Sequence, residues 1–454
     1  AFTPTAGYTG PANFGYSISD GRGGTSGAEV SLTVQQPASG NAIVQENAKP
    51  GSPRSEWDIS GAGSSNIEGF AADMSVNRGA TVDFKIRTNS TNYRIDIYRL
   101  GYYGGSGARK IATIQRTLTR AQAQPAPLTD SQTGLIDAGN WAVSASWQVP
   151  TDIPSGVFIA KLVRQDGVAG SNHIPFIVRN DGPTKSDILL QTSDTTWQAY
   201  NAWGGNSLYT GSPAGRAYKV SYNRPFITRG DNTGTSGPRD FLFDSDYPML
   251  RWLEANGYNV SYISGIDAGG LADPISGHKA FMTVGHDEYW SANQRAKVEQ
   301  ARDAGVNLAF FAGNDVFWKT RWENSIASSG TPHRTLVSYK ETHANAKIDP
   351  SPAWTGTWRD PRFSPPADGG RPENGLTGTI FTDNDGSVDR ITVPAEDGKM
   401  RFWRNTNIAN LAPGALKGQP TRGPATQIFV KVAPNSNGVY EMQSLHTAPV
   451  PVSG

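Results

Sequence analysis

The sequence predicts a multidomain fold, an immunoglobulin-like β-sandwich followed by an α/β unit built on a parallel sheet. Three observations predict it. Short runs with period-two alternation crowd residues 43–180, apolar strands alternate with helix-length segments after Gly182, and a separate hairpin pattern precedes both.

In chain order, GYTGPANFGYSISDGRGGTSGAEVSLTV places Phe14, Tyr16 and Ile18 in alternation with small residues, turns through SDGRGG, and alternates again through Val30, Leu32 and Val34. That is a hairpin, expected as a partial β module over residues 1–36. QQPASGNA (35–42) reads as a linker from its Pro, Gly and Ser content. The sandwich is expected over 43–180, from the runs ATVDFKIRT, YRIDIYRL, GNWAVSASWQV, GVFIAKLVR and IPFIVR separated by turn residues.

The α/β unit is expected over 181–454. DILLQTS, NVSYIS, AFMTVG and VNLAFFAG predict strands near 186–192, 258–264, 280–285 and 306–312. YPMLRWLEANG predicts a helix with Asp246 as N-cap, Pro248 in its first turn and Gly257 as its stop. SANQRAKVEQARDAG predicts a second helix, over 291–304, opened by a Ser291/Gln294 capping box and closed by Gly305. Strands and helices alternating at these lengths imply a parallel sheet covered on both faces.

Composition excludes several functions. Lys plus Arg number 41 against 40 Asp plus Glu, a formal net charge of +1, so the chain carries no basic stripe for nucleic acid. No apolar run approaches the roughly 20 residues that a membrane-spanning helix needs. Cysteine is absent, which excludes disulfides, thiolate metal sites and a cysteine nucleophile. With 51 Gly and 30 Pro, the chain reads as a secreted or cell-surface bacterial polypeptide, cut from a longer precursor at its strand-rich start.

In a parallel sheet, ligands gather beyond the carboxyl ends of the strands. Three polar-aromatic clusters fall there: QTSDTTWQAYNAWGG (191–205), GHDEYWS (285–291) and AGNDVFWKTRWE (312–323). A fourth, VSYNRPF (220–226), lies in a long excursion whose aromatics, among them Tyr209 and Tyr218, read as a packed lid.

TWQAYNAWGG, VSYNRPF, FLFDSDYPMLRWLEANGYNVSYIS, GHDEYWS and GNDVFWKTRWE, in this order, resemble the catalytic domain of the large (beta) subunit of N,N-dimethylformamidase. YRLGYYGGSGARKI and WQVPTDIPSGVFIAKL resemble the sandwich before that domain, so the resemblance spans roughly residues 43–410. The upstream hairpin resembles the end of a cadherin-like repeat of bacterial surface proteins. The family's fold is similar to class I glutamine amidotransferases, whose nucleophilic cysteine is replaced here by a turn carrying His286, Asp287 and Glu288. The resemblance implies a mononuclear Fe(III) site with one glutamate and two tyrosinates, matched to Glu288, Tyr222 and Tyr200, and a small partner subunit. Three hard anionic oxygens suit Fe(III) as a Lewis acid. Near the carboxyl end, GPATQIFVKVAPNSNGVYEMQ lacks the acidic-aromatic segment expected of the family.

Each candidate also has an ordinary reading. Glu288 could pair with Arg224, Lys319 or Arg321; Tyr200 could simply pack beside Trp197 and Trp203. His286 could be a further ligand, a partner that orients Glu288, or a general base, with the orienting role favoured. Asn314 and Asp315 could orient water or an amide, while Lys319 could stabilise developing negative charge or form salt bridges, as could Arg321, on a following helix. Trp197, Trp203, Trp290, Trp318 and Arg224 are candidate substrate contacts. The leading expectation is a metal-dependent hydrolase of a carbon–nitrogen bond in a small amide or formamide. A glycan-active or glycan-binding protein acting on an extracellular polymer, and a structural adhesin or matrix module with a degenerate site, are the alternatives. Assembly as a homo-oligomer is a further possibility.

Overall fold

The computed structural model describes residues 10–19, 21, 23–34, 41–230, 240–271, 273–362, 370–381, 392–404, 407–412, 416–418, 429–434 and 440–445. The opening hairpin pairs Gly10–Ser19 with Thr25–Val34, antiparallel, from Gly10 opposite Val34 to Ser19 opposite Thr25. Asp20 and Arg22 of its turn, and residues 35–40 of the expected linker, lie outside the described residues.

The sandwich begins later than expected. Residues from Ile43 form a helix, Ala42–Asn47, because Asn41 caps it through a hydrogen bond from the Ile43 N–H, 2.9 Å long. A single turn, Arg54–Trp57, follows. The first sandwich strand is Ile67–Ala71. It joins Thr81–Thr88 and Ala145–Gln148 in a three-stranded sheet, and a five-stranded sheet of Ser75–Asn77, Ser171–Arg179, Gly156–Arg164, Asn92–Leu100 and Ala108–Thr117 faces it. Alternation explains the facing: Val82, Phe84 and Ile86 are buried against Ile95, Ile97, Phe158 and Phe176, while Thr81 and Arg87 point outward.

The α/β unit matches its strand pattern. Val260–Ile263, Ile188–Gln191, Ala280–Gly285 and Asn307–Ala312 lie side by side in that order, all parallel. In chain order this is 2-1-3-4, which puts the topological switch point between Ile188–Gln191 and Ala280–Gly285. Helix Ala292–Asp303 starts from Ser291, whose hydroxyl accepts from the Gln294 N–H while the Gln294 side chain accepts from the Ser291 N–H, so the capping box is complete.

WKTRWE is a strand, Trp318–Glu323, where the sequence reading left a helix. Trp318, Thr320 and Trp322 alternate with Lys319, Arg321 and Glu323, the period of a strand. It pairs antiparallel with Thr335–Val337 and parallel with Tyr289–Ser291, and Lys219–Ser221 completes this second four-stranded sheet.

Sandwich and α/β unit share one core. Ile43, Trp57, Tyr98, Val157 and Ile159 pack in the same cluster as Leu190, Leu250, Tyr262 and Met282. Across this seam Arg99, on a sandwich strand, meets Glu254, on helix Tyr247–Ala255, in a bidentate pair at 2.8 and 2.9 Å with both side chains 0% exposed. The carboxylate also accepts from Tyr262 Oη and Asn47 Nδ2, at 2.9 and 2.7 Å, and so has the donors that a buried charge needs. Glu254→Gln leaves the Arg99 guanidinium uncompensated in the interior and is expected to cost roughly 3–5 kcal/mol, read as a lowered urea midpoint at unchanged slope.

Candidate functional site

Two of the sheet's strands deliver their following segments to one place at the switch point. After Gln191 the chain enters helix Asp194–Tyr200 and brings Tyr200 to the far end of it. After Gly285 it turns through His286–Glu288 into the short strand Tyr289–Ser291. Gly285 makes that turn at φ 76°, and a Cβ there would collide with Ser245, so glycine is required twice over. The turn is then clamped: Asp287 and Glu288 carbonyls accept from the Val316, Phe317 and Trp318 N–H groups, and the Glu288 N–H donates to Thr196 Oγ1 at 3.0 Å.

Glu288 is 3% exposed, and donors from four segments converge on it. Tyr209 Oη donates to Oε1 and Oε2 at 2.8 and 3.0 Å, Tyr200 Oη to Oε2 at 3.2 Å, and Trp318 Nε1 to Oε1 at 2.8 Å. His286 Nε2 lies 3.3 Å from Oε2, although the strand has ended between these residues, and its Nδ1 lies 3.1 Å from Asp240 Oδ1. The rings of Tyr200 and Tyr209 stack with centroids 4.1 Å apart, and Tyr289 Oη donates to Tyr209 Oη at 2.7 Å. Burial and the Glu288 charge hold the phenols of Tyr200 and Tyr209 well above their ordinary pKa. For His286 burial opposes protonation, but Asp240 and Glu288 outweigh it and raise the imidazole above its usual range.

Lys340, which the sequence reading passed over, stands beside this cluster in a left-handed conformation, φ 49°. Its ammonium lies 3.4 Å from the ring centroid of Tyr209, 4.9 Å from that of Trp318 and 5.5 Å from that of Tyr289. Burial lowers its pKa to about 7, against the pull of Glu288.

The expected site residues therefore divide. Tyr200, His286, Glu288 and Trp318 come together. Tyr222 does not join them: its hydroxyl donates to Asp194 Oδ2 at 2.8 Å, and Asp194 is itself fixed by Gly265 N–H and Thr192 Oγ1. Tyr209 occupies the position beside Tyr200 instead. The tryptophans proposed for substrate are mostly interior: Trp197 donates to Asp246 Oδ2 at 2.9 Å, Trp203 to Glu68 Oε2 at 2.9 Å, and Trp290 packs between Phe281 and Phe310. Arg224 is buried among neutral acceptors, its guanidinium bonded to Gln198 Oε1 and to the Gln198, Trp203 and Asn206 carbonyls. Lys319 donates to the Trp354 carbonyl at 3.0 Å, and Arg321 pairs with Asp349 at 2.8 Å.

Buried acids underlie the turn. Asp246 sits at the N-cap position of helix Tyr247–Ala255 but makes no cap bond; its carboxylate faces inward to Ser193 and Trp197, and burial raises it to about 6. Asp315 lies between two non-glycine residues in left-handed conformations, Asn314 at φ 57° and Val316 at φ 54°, a local strain that holds its side chain against Thr283 Oγ1 at 3.3 Å. Among the described residues, no group of three His, Asp or Glu side chains gathers at metal-binding separation, so any hard cation here would need the tyrosine oxygens.

Fold and site together define a β-sandwich fused to a parallel α/β unit, with a buried carboxylate–tyrosine cluster at the switch point. The chain belongs to the N,N-dimethylformamidase beta subunit-like, C-terminal family, whose model matches residues 94–428. A cadherin-like domain model matches residues 1–35. No curated protein matches the chain. Among solved structures, domain 1 of VCBP3 from Branchiostoma floridae aligns at 9% identity over 27% of this chain and 100% of its own, with a TM-score of 0.16. A Salmonella alpha-2-macroglobulin aligns at 12% identity over 40% of this chain and 12% of its own, TM-score 0.17. A Paenibacillus sp. cycloisomaltooligosaccharide glucanotransferase aligns at 8% identity over 72% of this chain and 39% of its own, TM-score 0.17. At these scores the alignments assign neither fold nor function.

Burial lifts the Asp315 carboxyl from 3.8 to about 7, against the Thr283 hydrogen bond and the nearby His286. A folded-state value above the unfolded one means that the folded protein binds more protons between the two, so this group's contribution to stability is lost as pH rises from about 4 to about 7. Asp315→Asn removes the titration. Its stability relative to the wild type is expected to climb by roughly 3–5 kcal/mol across that window and to stay level above it, measured by urea unfolding at several pH values.

Proposed function

We propose that the chain is a hydrolase of carbon–nitrogen bonds in amides of the formamide type, and that Glu288, Tyr200, Tyr209 and His286 form its reactive centre. The observation that carries this reading is the convergence of two phenols and an imidazole on one buried carboxylate, in a member of the dimethylformamidase beta subunit-like family. The order 2-1-3-4 and the site on a strand-to-helix turn support a class I glutamine amidotransferase-like scaffold. The cadherin-like match supports a secreted or cell-surface bacterial setting, and the beta subunit description supports assembly with a further, smaller subunit. Among the described residues no helix is long and apolar enough to cross a membrane.

The donor set fits a hard trivalent cation. Both phenols spend their protons on the same carboxylate, and exchange of those protons for Fe(III) would leave three anionic oxygens, from Tyr200, Tyr209 and Glu288. Bound there, iron would supply Lewis acidity toward an amide carbonyl and water. His286 then has the proton work: with Nδ1 fixed by Asp240 and its pKa raised by Asp240 and Glu288, the protonated imidazole can give the Nε2 proton to the leaving nitrogen and be reprotonated from the attacking water. Trp318 and Tyr289 hold Glu288 and Tyr209 in place through the indole N–H and the phenol hydroxyl. Interior placement of Trp197, Trp203, Trp290 and Trp318 favours this reading over a glycan-stacking surface, for which Trp322 alone of the five candidate tryptophans is half-buried.

Iron content and visible absorption test the reading. Wild-type protein from iron-supplemented culture should carry about one iron and a tyrosinate charge-transfer band. Glu288→Gln should lose the metal at a nearly unchanged melting temperature, Tyr209→Phe should shift or bleach the band, and Tyr222→Phe should leave both intact because its hydroxyl belongs to Asp194. Stoichiometric iron in Glu288→Gln would sink the proposal.

A further inference from the structure

Arg216 and Lys340 form a second feature of the same site. Arg216 Nη2 donates to the Tyr339 carbonyl at 2.7 Å, which lays the guanidinium along the backbone that leads into Lys340. Its Cζ lies 5.2 Å from the centroid of the Tyr218 ring, and Tyr218 stacks on Tyr339 at 4.6 Å, so the arginine is fixed from two sides. Arg216 Nη1 is buried and has no hydrogen-bond partner. Lys340 is 1% exposed, and its backbone is held in the left-handed region at φ 49° to aim the side chain into the cage of Tyr209, Tyr289 and Trp318.

Two cations brought together out of water repel one another, and desolvation adds to the cost. The charge of Arg216 acts on both Lys340 and the neighbouring His343. Among the described residues neither cation has a carboxylate within 4.0 Å. Glu288 is near enough to act on Lys340, but its oxygens are already spent on Tyr200, Tyr209 and Trp318. An arrangement that leaves an arginine donor unused and a lysine unpaired, next to a reactive carboxylate, is complete only when an anion joins it. His343 is exposed and packs edge-on against Trp318 with ring centroids 4.8 Å apart, so one wall of the cage is a single side chain away from solvent.

We propose that Arg216 and Lys340 form a carboxylate-binding subsite beside Glu288, and that the preferred ligands are N-acyl or N-formyl amino acids rather than neutral amides. The substrate role rests on the amide-hydrolase reading; the anion subsite does not. Arg216 offers the fork geometry that a carboxylate accepts, and Lys340 a point charge screened by aromatic faces. The amide of such a ligand then falls toward Glu288, because Tyr209 and Trp318, two of the three rings that cage Lys340, also hold Glu288.

Calorimetric titration of the full chain with N-formylglycine and with N-formylglycinamide, which differ only in the carboxylate, tests this directly. N-formylglycine should bind at least about tenfold more tightly, since charge-assisted hydrogen bonds are worth that much or more. Arg216→Gln and Lys340→Met should each reduce the ratio toward one, and Arg216→Lys should keep part of it. That conservative variant separates loss of charge from loss of fold, with melting temperatures measured for all three. Equal affinity for the two ligands, binding of neither, or a preference that survives both Arg216→Gln and Lys340→Met overturns the subsite. A carboxylate preference that depends on both residues, without any hydrolysis of N-formylglycine, retires the amidase reading and leaves the subsite standing.

Discussion

A carboxylate taken out of water has to be met by donors, and Glu288 is met by four side chains from four segments of the chain. Tyr200 arrives from the helix after the first parallel strand, Tyr209 from the excursion beyond it, His286 from the turn after the third strand, and Trp318 from the second sheet. None of these segments could supply the others' contacts alone. The parallel sheet, the clamp between residues 287–288 and 316–318, and the packed aromatic excursion are the means by which one charge is kept dry and satisfied.

The same demand shapes the layer beneath. Asp194 ties the first helix of the α/β unit to Gly265, Asp246 accepts from Ser193 at the N-cap of that same helix and from Trp197 within it, and Asp287 accepts from Gln191 Nε2 at 2.6 Å. These acids are buried, and burial pushes each of them upward, to about 7 for Asp194, about 6 for Asp246 and well above the usual range for Asp287. Each is met by backbone or side-chain donors, and these hydrogen bonds brace the loops beneath Glu288. The loops at the switch point are thus held by hydrogen bonds whose strength does not depend on a dissolved counter-ion.

Much of the scaffold was legible in the sequence because period and punctuation are local properties. The four parallel strands and the Ser291/Gln294 cap follow from runs such as AFMTVG and from S-x-x-Q before an amphipathic segment. The WKTRWE strand carried its period-two signal too, overshadowed by the expectation of another helix in a strand–helix alternation. The partner of Tyr200 was beyond reach. Tyr209 and Tyr222 both sit in aromatic, turn-rich stretches, and what separates them is a tertiary event, the capture of the Tyr222 hydroxyl by Asp194. Lys340 carries no motif at all; its left-handed backbone and its aromatic cage exist only once three strands have met. The many tryptophans misled in the opposite direction, since side chains of that size serve the interior as readily as a cleft.

The seam between the sandwich and the α/β unit alters how the molecule comes apart. With Tyr98 and Val157 in the same apolar cluster as Leu190 and Met282, and Arg99 closed on Glu254 at its centre, neither half presents a finished surface without the other. Heat should meet a single cooperative block, one calorimetric endotherm where two separable modules would give two. A chain cut near residue 180 would yield two sticky fragments rather than a free α/β module, so the Glu288 cluster and the sandwich behind it are folded and lost together.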